Sequence, residues 1–148
     1  MIHVVHAAVT ASNGSLQMLS SGVFSDGYFK FAAERPQREL TKVPAITVDE
    51  LTRRFGAPTH IKIDVEGHEA AVVAGAKETL KNHAPHLFIE LHNELIVKDG
   101  GDPHAALSEL YDAGYNTFSL AGIPLDRTAI LQQPIIRVVA KTDVLAKN

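Results

Sequence analysis

Between His60 and Glu69 the chain reads His-Ile-Lys-Ile-Asp-Val-Glu-Gly-His-Glu, and no other stretch limits the fold so tightly. Ile61, Ile63 and Val65 recur at period two, the spacing of a half-buried strand, which puts Lys62, Asp64 and Glu66 together on the opposite side. Gly67 can take a positive φ, so the chain can reverse sharply into the Ala/Val-rich segment that follows. A short apolar strand that ends in acids and turns straight into a helix is half of a strand–helix–strand unit. In open α/β sheets ligands bind beyond the carboxyl ends of the strands, which is where these acids would stand.

The flanking sequence repeats the alternation. Thr47 and Glu50 have capping-box spacing, Ile46 and Leu51 have that of a hydrophobic staple, and Gly56 with Pro58 closes a short helix whose Leu51 and Phe55 should face inward. A helix is expected from His68 to Asn82 with Val73, Ala76 and Leu80 as its core stripe, stopped by Pro85. Leu87 to His92 reads as the next strand. Asp102 and Pro103 then begin a helix that buries Leu107, Leu110 and Tyr111 and ends at Gly114. Tyr115 to Leu120 and Ile135 to Lys141 are the last strands, joined by a loop containing Gly122 and Pro124. Upstream, Ile2 to Val9 reads as a strand and Asn13-Gly14 as a turn before Leu16 to Leu19. The stretch from Ser20 to Lys42, with Phe24, Tyr28, Phe29 and Phe31, is either an extended hairpin packing its aromatics or a lid. The pattern implies an α/β fold, a mostly parallel sheet finished by an antiparallel C-terminal strand pair, in a single domain over residues 1–148.

Composition narrows the function. With 148 residues, 45% hydrophobic and 21% charged, the chain can bury a core, and a net charge of −3 without basic runs gives no surface for nucleic acid. The absence of cysteine removes thiolate ligands, disulfides and Cys nucleophiles and fits a reducing compartment, so the chain is read as cytoplasmic. No window is apolar enough for a membrane span.

The candidate catalytic residues are Lys62, Asp64 and Glu66 at one strand end and Glu90 and His92 at the next. A carboxylate beside His or Lys can serve as a general base toward a hydroxyl. Equally, Lys62 could simply neutralise a neighbouring acid and Glu90 could cap a loop amide. Asp64, Glu66, His68, Glu90 and His92 are chemically suited to a divalent cation, but no ligand spacing supports one and no metal is expected. Gly-x-Ser-x-Gly, P-loop and Gly-x-Gly-x-x-Gly patterns are missing from the chain.

Ile61-Lys62-Ile63-Asp64-Val65-Glu66-Gly67-His68-Glu69, with Ile-Thr-Val-Asp-Glu-Leu at 46–51 before it and Ala74-Gly75-Ala76 and Leu-Phe-Ile-Glu-Leu-His at 87–92 after it, resembles the FkbM family of S-adenosylmethionine-dependent methyltransferases. The strand end at Ala7-Ala8-Val9, the Asn13-Gly14 turn and Asp112-Ala113-Gly114-Tyr115 are similar as well. The resemblance implies a partial class I methyltransferase (Rossmann-like) fold covering strands three to seven. It also implies S-adenosylmethionine as cofactor, with Asp64 and, more weakly, Ala8 beside it, Glu66, Glu69 and Glu90 lining the same pocket, and a small-molecule hydroxyl of a sugar or secondary metabolite as acceptor. A non-catalytic binding or assembly module that keeps the second half of the fold is the alternative. The family's glycine-rich cofactor loop and ribose-binding acid have no counterpart here, so the chain is expected to be a C-terminal piece that alone binds the cofactor weakly or not at all. A central strand at 60–65 without its neighbour must then find a partner, either Ile2 to Val9 or, as preferred, a second copy in a homodimer.

Overall fold

A computed structural model describes residues 2–19 and 40–143, so the aromatic stretch read as hairpin or lid lies almost wholly outside the described residues. The architecture is mixed α/β. A three-stranded sheet holds β1 (Ala8–Val9), β2 (Gly14–Leu19) and β3 (Leu40–Ile46) in the order β1-β3-β2. Helix α1 (Val48–Phe55) leads to a second sheet of β4 (His60–Ile63), β5 (His86–Leu91), β6 (Asn116–Phe118) and β7 (Ile136–Lys141), ordered β4-β5-β7-β6. Between its strands come α2 (Glu69–Ala74), α3 (Lys77–His83), α4 (Asn93–Lys98), α5 (Pro103–Asp112) and α6 (Arg127–Leu131).

The sheets are less parallel than the sequence suggests. β1–β3 and β4–β5 are parallel, whereas β2–β3, β5–β7 and β6–β7 are antiparallel. The expected C-terminal antiparallel pair is present, and β7 enters between β5 and β6 and runs against both. The strand expected over Ile2 to Val9 shrinks to Ala8 and Val9, with Ile2 91% and Val4 89% exposed. In the parallel register Ala8 faces Ala45 and Val9 faces Ile46, so the preceding residue would face Pro44, which has no amide to donate. Because β1 joins β3, it does not repair the edge of β4, which among the described residues has only β5 as neighbour.

Thr47 caps α1 as expected, its hydroxyl accepting from the Glu50 amide at 3.0 Å. The other half of the capping box is missing: Thr47 N–H donates to Asn13 Oδ1 at 2.9 Å, and the Glu50 carboxylate instead takes Arg53 and Arg54. Phe55, expected inward, is 49% exposed at the last position of α1, its ring 5.0 Å from that of His3.

The helix expected over residues 68–82 breaks in two at Gly75. A Cβ there would collide with the Thr10 carbonyl, and the Gly75 carbonyl accepts from Asp49 N–H at 3.0 Å, so α1 and the end of β1 both press on this point. Asp49 then caps α3 from outside, accepting from the amides of Glu78 (3.2 Å) and Thr79 (2.8 Å) and from the Thr79 hydroxyl (2.7 Å).

The core lies on one face of the second sheet, where Leu87, Ile89 and Leu91 meet Val73, Ala76, Leu80, Leu107 and Leu110, with Val138 and Ala140 alongside. Tyr111, also expected inward, is half-buried and bonds the Thr117 hydroxyl at 2.8 Å. Two short helices went unread in the sequence: α6, capped by Asp126, occupies the loop before β7, and α4 begins directly after His92.

Candidate functional site

Because β4 and β5 are parallel, their carboxyl ends open onto one edge, with Ile63 opposite Ile89. β4 stops at Ile63, two residues short of the expected end, so the period-two pattern does not carry Glu66. Instead Glu66 (φ 53°) and Gly67 (φ 101°) form a left-handed turn. A side chain in that region strains the backbone by about 1 kcal/mol, and here it swings the Glu66 carboxylate to within 3.4 Å of His92 Nε2. Gly67 has no such freedom to change, since a Cβ would meet the Leu95 Cβ at 3.0 Å.

His92 is the hub. Its side chain is 5% exposed, and its Nδ1 lies 2.8 Å from Oε1 of Glu69, the fully buried first residue of α2. The same oxygen accepts from Gly67 N–H at 3.1 Å, while Glu69 Oε2 is buried with no hydrogen-bond partner. An ionised carboxylate only accepts, so in this pair Nδ1 carries the proton and Nε2 faces outward, toward Glu66 and, at 4.0 Å, Glu90 Oε1. Burial alone would lower the imidazole pKa. The Glu69 hydrogen bond and the charges of Glu69, Glu66 and Glu90 outweigh it, and the group is raised.

Asp64 and Lys62 pair at 2.8 Å, the lysine 71% exposed. That hydrogen bond, against some burial and with help from the charges of Lys62, His92 and Arg137, holds the Asp64 carboxyl below its usual range. Glu90 is gripped by both guanidinium arms of Arg137, at 3.0 and 2.9 Å, across the β5–β7 register. Lys62, Asp64, Glu66, Glu90 and His92 therefore share one edge, and the structure adds Arg137, which no sequence signal marks, and the orienting role of Glu69. Asp64, Glu66 and His92 each bring a ligand atom within 4.8 Å of the others, the spacing of a cation site. His68, half-buried and with its pKa lowered chiefly by burial, is not part of that trio. Ala8 lies in β1, and its neighbours Ala7 and Val9 line a cleft of about 460 Å³ beside β4. Val48, Leu51, Ile61 and Ile63 complete the apolar wall of that cleft, and no acid lines it among the described residues.

Among the described residues no helix is long and apolar enough to cross a membrane. Comparison with curated proteins and with solved structures finds no significant match. A model of the methyltransferase FkbM domain matches residues 2–117, a span that runs from the segment before β1 into β6 and holds every acid of the cluster. The match covers well over half of the chain, which therefore belongs to the FkbM methyltransferase domain family.

Proposed function

We propose that the chain forms the acceptor side of an S-adenosylmethionine-dependent O-methyltransferase site, with the acidic edge of β4 and β5 facing the hydroxyl that receives the methyl group. The observation that carries this reading is the convergence of Asp64, Glu66, Glu69 and Glu90 around one buried imidazole at the carboxyl ends of two parallel strands. The bound cofactor supplies a methyl group activated on a sulfonium. Four carboxylates against the two cations Lys62 and Arg137 suit that positive charge. The nucleoside end fits less well, because the apolar cleft offers no acid for ribose hydroxyls. We take the four strands β4 to β7 as the second half of a Rossmann-like methyltransferase sheet.

Methylating a hydroxyl forms a C–O bond and frees the hydroxyl proton, and the chain's part is to hold the oxygen and receive that proton. Asp64, kept ionised by Lys62, is a weak base but a firm hydrogen-bond acceptor, so it orients the hydroxyl. Glu69 fixes the ring of His92, and His92 fixes Glu66. The proton passes to this carboxylate–imidazole cluster. A sugar or other polyhydroxylated small molecule suits an edge so rich in acceptors.

The test is NMR of the isotope-labelled chain with S-adenosylmethionine and a hexose glycoside, run beside transfer of a labelled methyl group. Shifts centred on Asp64, Glu66 and His92 and label in an ether product support the reading. Shifts confined to other parts of the chain, or label found only in amine or thiol acceptors, overturn it.

A further inference from the structure

We infer that the cleft beside β4 is a slot for one extended strand, and that residues Ile2 to His6 of a second copy of the chain fill it, in a reciprocal exchange that makes a closed dimer. Two sheet edges border the slot. Among the described residues β1 is the outermost strand of the first sheet and β4 of the second, and Val9 from the one and Ile61 and Ile63 from the other line the same cleft of about 460 Å³. Val48 and Leu51 of α1 supply an apolar wall. An open strand edge with an apolar wall beside it recognises an extended peptide, the backbone giving the hydrogen bonds and alternate side chains the fit.

The occupant follows from the shape of the slot and from what the chain leaves uncovered. Because the cleft lies between two sheets, only a segment free on both sides can enter it; β4 of another copy cannot, since it is bonded along its length to β5. Among the described residues Ile2 to His6 is the apolar run that meets this condition. All five residues are exposed, Ile2 and Val4 to 91% and 89%, and β-branched Ile2, Val4 and Val5 favour a strand. Pro44 keeps the run out of the first sheet, and it leaves β1 through a three-residue turn in which Ala7 N–H donates to the Val5 carbonyl at 3.1 Å. The exposed run at Leu120 and Ile123 is instead closed into its own turn by bonds from Gly122 to Ser119 and from Ser119 to Ile123. At about 3.3 Å per residue Ile2 to His6 spans roughly 17 Å, against roughly 20 Å from His60 to Val65. Ile2 and Val4 stand at period two, so both can face the wall at Val48 and Leu51. The receiving copy's own segment is held on the opposite side of the cleft, where His3, Val5 and Ala7 line it, by the pairing of Ala8 and Val9 with β3. Each copy gives one segment and receives one, so the exchange closes on a two-fold axis and stops at two chains.

The experiment needs neither cofactor nor acceptor. Sedimentation equilibrium of the full chain is expected to show a monomer–dimer equilibrium with no larger species. Val4→Asp sets a charge against the apolar wall and should raise the dissociation constant at least about tenfold. Val97→Asp, at an exposed position of α4, should leave it unchanged. Val4 has almost no packing to lose in the single chain, so its variant should fold, and matching thermal melts verify this. An equal mixture of isotope-labelled and unlabelled chains then identifies the contact, because isotope-filtered NOE spectra report only neighbours in different copies. Contacts from the Ile2 and Val4 methyls of one copy to Leu51 and Ile61 of the other are expected. A chain that stays monomeric up to millimolar concentration, a dimer that Val4→Asp and Val97→Asp leave equally intact, or a dimer without those contacts overturns the exchange. Each result is independent of whether S-adenosylmethionine binds.

Discussion

At the scale of single residues, the pairing of Glu69 with His92 is where the site and the stability of the fold meet. Glu69→Ala would leave the His92 Nδ1–H and the Gly67 amide without their acceptor in the interior, and losing one side of a buried charged pair typically costs about 3–5 kcal/mol. Urea unfolding should therefore show a loss of that order; a change below about 1 kcal/mol would mean that the pair is not holding the turn. Activity should divide the acids differently. In a methyl-transfer assay Asp64→Asn should lower turnover by about two to four orders of magnitude, and Glu90→Gln by less, because Arg137 already engages Glu90. Equal losses would reverse that assignment. Tyr115 gives a test in pH. Its hydroxyl donates to the Pro85 carbonyl at 2.8 Å, and burial pushes its pKa from 10.0 up to about 12. A group that holds its proton more tightly when folded gives stability that is complete below its ordinary pKa and is lost as pH rises toward 12. Absorbance titration of phenolate should show one late-titrating tyrosine, absent in Tyr115→Phe, with unfolding accompanying its ionisation.

At the scale of elements, the contact that matters most is the one at Gly75. Two helices, a strand end and α1 converge there, and a side chain would have to displace the backbone at Thr10. Gly75→Ala should thus destabilise the chain by about 2 kcal/mol or more, although in a solvent-exposed helix the same change would stabilise it by up to about 1 kcal/mol. A more stable Gly75→Ala in thermal melts would show that the helices do not need to part. The residues themselves favour one continuous helix: from Glu69 to Asn82 the run is Ala-rich and carries an apolar stripe that is indeed buried at Val73, Ala76 and Leu80. What splits it is Asp49, which sits some thirty residues upstream and supplies the cap of α3. Local pattern has no access to such a partner. The same holds for Thr47, whose amide finds Asn13 rather than the Glu50 carboxylate that its spacing suggests.

At the scale of the whole molecule, the open edge of β4 sets the terms. Among the described residues its backbone pairs on one side only, and beside it lies the cleft walled by Val48, Leu51, Ile61 and Ile63. Such an edge is a template for another strand. With β1 committed to β3, we expect a second copy of the chain to cover it in a homodimer that buries more than about 1,000 Å². Light scattering at low micromolar concentration decides the matter, and a stable monomer there would refute assembly through this edge.

The sequence by itself determined the run from His60 to Glu69 as a strand, an acidic turn and a helix start, the capped helices at Thr47 and Asp102, and the alternation along β5, because each is written in residues within one or two turns of each other. It also marked Asp64, Glu66, Glu90 and His92 as neighbours in waiting. Only the tertiary structure decided that Glu66 reaches His92 through a left-handed turn, that Glu69 stands behind the ring, that Arg137 crosses from β7 to hold Glu90, and that Pro44 ends the pairing of β1. Each of those depends on which strands lie side by side and in what register. Period and propensity say how a segment can fold, whereas the partner that satisfies a buried charge or an open amide comes from packing across tens of residues.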